Sequence, residues 1–440
     1  MASHNLFERD INPVLFEEKS YTRKVTLNRP QKLNSLTYEM ISQIGAALRV
    51  YEDDSKIKFV IFKGKGKAFC AGGDVVRVVQ YSIAGHWSFA AKFYQKQLCL
   101  DYLLATYKKP LVYLINGIIM GGGAGLSMFG TFRIVTEHTV FAMPEASIGL
   151  FPDVGATCFL SRLPGYFGEY LGLTGARING IEMLACGLAT HFVLSKDLQP
   201  LEDALCELVA ADTLTISKLV SKFIYKGHAK QDSFHKRVEI INKCFSRKTV
   251  EEILSSLVNA LCELVAADTL TISKLVSKFI YKGHAKQDSF NKRVEIINKC
   301  FSRKTVEEIL SSLEEEMETG TDKWIVEAIS SLKSASPTSL KITLRSIREG
   351  RLLKLEHCLS REFTLFRHFM RRTVNNDFYE GARAMLIDKD KKSKWEPPQL
   401  WQVSEEMVDR FFAEAEDDDE WEDLHLPNRS GLSNQMKPKL

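Results

Sequence analysis

Three turns, each downstream of a strand-like apolar run, restrict this chain more than any other feature. Lys67 to Asp74 (KAFCAGGD) follows Phe59 to Lys63, and Asn116 to Gly125 (NGIIMGGGAG) follows Leu111 to Ile115. Phe141 to Gly155 (FAMPEASIGLFPDVG) lies beyond a further strand-like run, Phe132 to Thr136. Glycine lets a backbone approach a ligand closely and leaves N–H groups free at a helix start. Two such groups converging on one oxygen form an oxyanion hole, where losing one donor typically costs ~10²–10³ in rate. The third turn adds two carboxylates, Glu145 and Asp153, eight residues apart. Carboxylates beside paired amides suit acyl transfer to water. Each motif alone also reads as an ordinary turn or helix cap. No Gly-Lys-Ser/Thr follows the glycines, which excludes a phosphate loop, and the G-x-G-x-x-G dinucleotide spacing is poorly met. The order of all three turns is the specific signal.

The surrounding pattern is α/β. Strands are expected at Arg23 to Asn28, Phe59 to Lys63, Leu111 to Asn116 and Phe132 to Thr136. An amphipathic helix is expected over Thr37 to Val50, with Met40, Ile41, Ile44 and Leu48 on one face. Beyond about Ile181 the pattern turns helical and more charged. The apolar run Leu111 to Met128 contains Asn116 and five glycines, so it reads as buried strand and turn rather than a membrane helix. A net charge of +4 without concentrated Lys and Arg argues against nucleic acid as a partner. Nine cysteines without C-x-x-C spacing read as reduced, packed thiols. His138 and His191 stand isolated, away from any second ligand at metal spacing. The first residues carry no signal or transit character.

A tandem duplication interrupts the helical half. Ala204 to Leu257 recurs as Ala260 to Leu313, differing only at His235 against Asn291. Structural repeats normally drift while keeping a core pattern, so near identity marks a recent or accidental copy. One copy is expected to pack as a helical element and the other to be an extra insert. Residues 1–200 then form a core bearing the site, 201–400 a helical region containing the duplication, and 401–440 a tail. That tail holds the acidic run Glu414 to Asp423, expected to be solvated.

With these residues in hand, the chain resembles the crotonase (enoyl-CoA hydratase/isomerase) superfamily. The likeness begins at Asn28-Arg29-Pro30 and Leu33-Asn34-Ser35-Leu36, runs through the three turns to about Val193, and resumes at Ser336 to Lys341. MGGGAG, MPEASIGLFPDVG, LTGARING, GLATHFV, SPTSLKITLR and DFYEGARAMLID are most similar to its 3-hydroxyisobutyryl-CoA hydrolase branch. The resemblance implies a ClpP-like spiral of ββα units with a C-terminal helical region. It implies Ala71 and Gly122 as oxyanion-hole amides, Glu145 as catalytic acid/base and Asp153 as a second carboxylate. Leu33, Ala71, Gly72, Gly73, Asp74, Gly121, Gly122 and Gln97 are implied to contact substrate and CoA. No metal or other cofactor is called for, since CoA is part of the substrate. A homo-oligomer is compatible with the family, and no membrane partner is expected.

Two positions depart from relatives. A hydratase of this superfamily carries a second glutamate where this chain has Gly125, so water addition across a double bond is disfavoured. Gln97 stands where animal hydrolases tend to carry a substrate-contacting Glu; an amide hydrogen-bonds but is no base. The expected reaction is therefore hydrolysis of a short branched or hydroxylated acyl-CoA, most simply 3-hydroxyisobutyryl-CoA of valine breakdown. The alternatives are an enoyl-CoA isomerase or hydratase of the same fold, or a silent acyl-CoA binder. Loops such as Val75 to His86 are expected to shape the acyl pocket. Cys158 is expected to be structural. Pro438-Lys439-Leu440 resembles the small-basic-Leu tripeptide read by the peroxisomal import receptor, against a cytoplasmic or mitochondrial location otherwise.

Overall fold

The computed structural model describes residues 12–209, 212–225, 285–320, 322–414 and 423–429. In chain order the strands are β1 (Val14–Lys19), β2 (Thr22–Leu27), β3 (Phe59–Gly64), β4 (Ala68–Cys70), β5 (Leu111–Ile115), β6 (Ile118–Met120), β7 (Phe132–Val135), β8 (Val140–Ala142), β9 (Ile178–Asn179) and β10 (His191–Phe192). They make two sheets, in the orders β1-β2-β3-β5-β7-β10 and β4-β6-β8-β9. From β2 to β10 the first sheet is parallel, with β1 antiparallel at its edge. Each of β3, β5 and β7 is followed at once by a strand of the second sheet, so the chain winds as the expected ββα spiral.

Helices follow each winding: α1 (Tyr38–Asp53), α2 (Val75–Ala84), α3 (Trp87–Ala105), α4 (Gly122–Met128), α5 (Ala156–Ser161), α6 (Phe167–Thr174) and α7 (Gly180–Cys186). Thr37 caps α1, its hydroxyl accepting from Met40 N at 3.2 Å. The expected loop at 75–86 is largely α2. Its cap is Asp74, whose carboxylate accepts from Arg77 N.

The helical half comprises α8 (Ser195–Cys206), α9 (Thr213–Phe223), α10 (Ala285–Phe301), α11 (Val306–Thr319), α12 (Lys323–Ser334), α13 (Pro337–Gly350), α14 (Leu355–Arg371), α15 (Asp377–Ala382) and α16 (Glu405–Phe412). Leu201, Leu205, Ile216 and Val220 of α8 and α9 seal the first sheet against Phe59, Ile61, Val112 and Ile134. The duplicated element is therefore not one whole copy. Its head comes from the first copy (α8 and α9), while its tail comes from the second, through buried Ile297, Phe301, Val306, Ile309 and Leu313. Chain continuity explains the split. The core feeds into the first copy and resumes from the second, so the described residues of 1–224 and 294–440 form one compact unit. The remaining halves of both copies lie largely outside the described residues.

The boundaries expected at 200 and 400 are not breaks in this unit. α8 runs through the first, and α16 packs beyond the second, with Phe411 set against Phe369 of α14. The tail also returns to the core. Arg429 pairs with Glu52 of α1 at 2.6 Å and donates to Thr106 O at 2.7 Å, because a bidentate guanidinium–carboxylate pair holds a chain end well. Most of the acidic run and the terminal tripeptide lie outside the described residues. No described helix is long and apolar enough to cross a membrane. Deleting residues 226–281 joins Tyr225 to Lys282 and restores a single copy; thermal unfolding of that variant is expected to match the parent in midpoint, and a markedly lower midpoint would refute the split reading.

Candidate active site

The site forms where β4, β6 and β8 end. These strands are adjacent and parallel, with Ala68 opposite Ile118 and Ile118 opposite Val140. Neighbouring strands stand ~4.8 Å apart, so the turns leaving their carboxyl ends meet. Those turns bring Ala71 to Gly73, Gly121 to Gly122, and Pro144 to Glu145 together. Gly121 has φ +47, and a Cβ there would come within 2.8 Å of Glu145 Oε1. A side chain at that position would displace the carboxylate.

The amide pair is not the one the sequence pointed to. Ala71 N–H donates to Leu33 O at 3.0 Å and is not available to a ligand. Gly73 forms a parallel bridge with Leu36, in which Leu36 N donates to Gly72 O and Asp74 N donates to Leu36 O. The N–H of Gly73 itself faces the other way. A Cβ built on Gly122 would sit 3.2 Å from Gly73 N, so these two amides are neighbours. Gly122 opens α4, where first-turn N–H groups lack intrahelical acceptors. Among the described residues neither amide has a hydrogen-bond acceptor.

The segment Asn28 to Leu36 holds this turn in place. Arg29 is buried, donating to Ser35 O and, at 3.3 Å, to Asp74. Asn34 accepts from Arg29 N at 2.8 Å and donates to Ala68 O at 2.8 Å. Leu33 has a left-handed backbone and contributes its carbonyl, not its side chain, to the site.

Glu145 and Asp153 are both buried, at 6% and 8% exposure, and they interact. Burial first, and then Asp153, push Glu145 well above the usual carboxylate range; Glu145 Oε2 has no partner among the described residues. Burial, reinforced by Glu362, pushes Asp153 up to about 8, against a hydrogen bond from Tyr94. Glu362 of α14 accepts from Gly155 N at 2.7 Å and Thr157 N at 2.9 Å, clamping the turn that carries Asp153. It supplies the acceptors that Gly155, the cap of α5, cannot. Burial raises Glu362 to about 7. Between Asp153 and the clamp stands Val154 at φ +57, a conformation a β-branched residue adopts only under external restraint.

A cavity of about 1040 Å³ opens over these groups and is closed by Phe366 and Phe378 from the helical half. Every residue of the sequence-derived set lines it except Leu33. His138 pairs at the surface with Glu137, and His191 packs near Phe132, both away from the cavity. Cys158 is buried away from the cavity, as a structural thiol would be, and the neighbouring Cys358 thiol of α14 lowers it. Tyr94, Asp101 and Glu362 were not legible beforehand, since acids and tyrosines spaced along charged helices read as solvated faces.

A family model described as enoyl-CoA hydratase/isomerase matches residues 22–262 and 254–412. The two stretches meet within the duplicated region, as a second copy requires. This chain belongs to the enoyl-CoA hydratase/isomerase family. Among its relatives, an Arabidopsis thaliana protein named probable 3-hydroxyisobutyryl-CoA hydrolase 3 is 46% identical, over 95% of this chain and 96% of its own length. A Danio rerio protein named 3-hydroxyisobutyryl-CoA hydrolase, mitochondrial, is 36% identical over 94% of this chain and 93% of its own. Among solved structures, a carnitinyl-CoA dehydratase from Mycobacterium thermoresistibile superposes with a TM-score of 0.70 at 28% identity, covering 92% of this chain and 98% of that one.

Within the family, the position of Gly125 is physically closed. A Cβ there would meet Val154 Cβ at 2.6 Å, Val154 O at 2.9 Å and Asp101 Oδ2 at 3.0 Å. A glutamate cannot be restored at 125 without moving the turn that carries Asp153.

The electrostatics give a pH dependence with a defined sign. Glu362, Asp101, Asp153 and Glu145 repel one another as anions, and Tyr94 faces Asp153 from α3. Glu362→Gln removes one like charge, so Asp153 and Glu145 ionise at lower pH. The acid limb of kcat/KM for turnover by this site should move to lower pH. The variant also loses one of two acceptors for buried amides, at about 1–3 kcal/mol of stability. A limb that stays in place or moves upward would contradict the charge assignment.

Proposed function

We propose that this chain hydrolyses 3-hydroxyisobutyryl-CoA to 3-hydroxyisobutyrate and CoA. The observation that carries the reading is the Glu145 carboxylate, seated against Gly121 and beside the neighbouring amides of Gly73 and Gly122. The names of relatives 46% and 36% identical over nearly the whole chain support the same substrate.

In this scheme the thioester oxygen lies between the Gly73 and Gly122 N–H groups, which stabilise the negative charge that develops there. Glu145 either takes a proton from water as it attacks the carbonyl carbon, or attacks that carbon itself to give a mixed anhydride that water opens. A C–O bond forms, the C–S bond breaks, and CoA leaves as its thiolate. A thiolate leaves readily, so strong acid assistance is not required. Asp153 and Glu145 repel one another as anions, so Asp153 keeps its proton while Glu145 is ionised and has it to offer the substrate hydroxyl or the departing sulfur. Only the chain's own residues and water take part, with CoA entering as substrate.

An isomerase needs only one carboxylate shuttling a proton, so Glu145 alone would serve that chemistry. A thiol assay separates the two, because isomerisation frees no CoA. The expected outcome is CoA release by the wild type, reduced ~10²–10⁴-fold in Glu145→Gln, with acyl-CoA binding retained. No thiol release, or release unchanged in Glu145→Gln, would sink the proposal. A single turnover in ¹⁸O-water then distinguishes the two routes: label enters Glu145 only if it is the nucleophile.

We assign the activity to valine breakdown through that substrate, and its location to the peroxisome through Pro438-Lys439-Leu440. The relative named mitochondrial makes the competing compartment explicit. A fluorescent fusion at the N-terminus should show peroxisomal spots that disperse when the last three residues are removed.

A further inference from the structure

The cavity is sorted by charge. Glu145 and Asp153 are buried, whereas on the same lining Lys32 and Lys389 are exposed and Arg77 is half-exposed. Arg29 and Asp74 also line it but answer one another at 3.3 Å, and Arg77 Nε reaches the same carboxylate at 3.6 Å. Among the described residues no carboxylate pairs with the Lys389 ammonium, although acids surround it in sequence. The hydrolytic scheme gives Lys389 no task.

Lys389 lies between Asp388 and Asp390, and the fold separates it from both. Arg383 Nη1 donates to Asp388 Oδ2 at 2.7 Å and to Asp390 Oδ2 at 2.8 Å, and neither acid lines the cavity. Glu380 holds Arg383 in turn through a two-bond fork of 2.9 and 2.8 Å. The backbone follows this network. Arg383–Ile387 is a π-helical turn closed by Asp388 N donating to Arg383 O at 2.8 Å, and Lys391 N donates to Ala384 O at 3.1 Å. Lys389 takes φ +59 and Lys391 φ +57. A left-handed backbone is unfavourable for lysine and persists only where the surroundings impose it. Here the Arg383 network does so, and it leaves a cation on the cavity with both adjacent acids turned back.

A ligand that suits such a cavity is neutral where it meets the buried carboxylates and anionic where it meets the exposed cations. A CoA thioester has that polarity: its reacting carbonyl is uncharged, and its far end carries phosphates. We propose that Lys389 binds a phosphate of the CoA moiety, and that Arg383 is a positioning residue that sets Lys389 on the cavity by holding Asp388 and Asp390 away from it. The inference takes CoA as the ligand from the thioesterase reading and adds which side chains hold its far end. Lysine meets a phosphate as a point charge and needs no bidentate geometry, which suits a rim open to solvent. Arg383 touches no ligand in this scheme; its effect passes through Lys389.

The test is equilibrium titration of the full chain with CoA and with pantetheine, which lacks the phosphates. Neither titration needs turnover. Lys389→Met should weaken CoA roughly tenfold, the size of one hydrogen bond to a charged group, and should leave pantetheine unmoved. The Kd for CoA should also respond less to added salt in that variant. Lys389→Arg should stay within about threefold of wild type, since a guanidinium also donates to phosphate. Arg383→Met should weaken CoA as Lys389→Met does, and the double variant no further, because the two residues act as one unit. An unchanged Kd for CoA in Lys389→Met, an equal loss for CoA and pantetheine, or a full further loss from Arg383→Met in the Lys389→Met background overturns the inference. Where Lys389→Met unsettles the loop, Lys389→Gly decides, because glycine adopts the left-handed backbone without cost. It should keep the wild-type unfolding midpoint or raise it while losing the same affinity for CoA, and wild-type affinity in that variant overturns the inference. A wild type that binds CoA no more tightly than pantetheine also overturns it, and thiol release from 3-hydroxyisobutyryl-CoA then still upholds the thioesterase reading. Binding of CoA that depends on Lys389, without any thiol release, upholds the phosphate contact and removes that reading.

Discussion

Everything at this site depends on three short parallel strands ending side by side. β4, β6 and β8 are three residues each, too short to be conspicuous, yet their register fixes where the Gly73 amide, the Gly122 amide and Glu145 stand. Strand spacing alone brings the turns within reach of one another. Glycine then permits the final approach, as at Gly123, where a Cβ would fall 2.2 Å from Cys70 O. The amides are preorganised by backbone pairing rather than by a ligand, which is what electrostatic stabilisation of a developing oxyanion requires.

The second theme is concentrated negative charge in an apolar setting. Asp101, Glu145, Asp153 and Glu362 are buried, and burial is the first cause of each raised pKa. A carboxyl whose folded pKa lies above its unfolded one holds a proton in the native state that the unfolded chain gives up. Its contribution therefore turns unfavourable as pH rises from the unfolded value, near 3.8 for Asp153, towards about 8. Strain at Val154 adds to the cost, and the Glu362 clamp on Gly155 and Thr157 offsets part of it. Function-bearing sites commonly sit below their stability optimum in this way.

Local signals were legible and long-range ones were not. The glycine turns, Glu145 and Asp153 stood out because their chemistry lies in contiguous residues. The parallel core strands and α1 were readable from apolar periodicity. Which amide of KAFCAGGD faces the ligand was not, because the pairing of Leu36 with Gly73 decides it and no spacing rule reports a bridge between distant residues. Asp101 and Glu362 were hidden for a related reason: a helical acid looks solvated until its neighbours are known. The duplication was plain in the sequence. That the fold takes the head of one copy and the tail of the other follows only from how the chain enters and leaves the core.

In the proposed reaction the Gly73 and Gly122 amides grip the thioester oxygen. Isotope-edited infrared spectroscopy of ¹³C-carbonyl 3-hydroxyisobutyryl-CoA bound to Glu145→Gln enzyme reads that grip directly. The carbonyl stretch should fall to lower wavenumber than for the free ester in water, as two preorganised donors polarise the bond more than water does. A bound carbonyl whose stretch matches or exceeds the value in water would mean that no such grip exists.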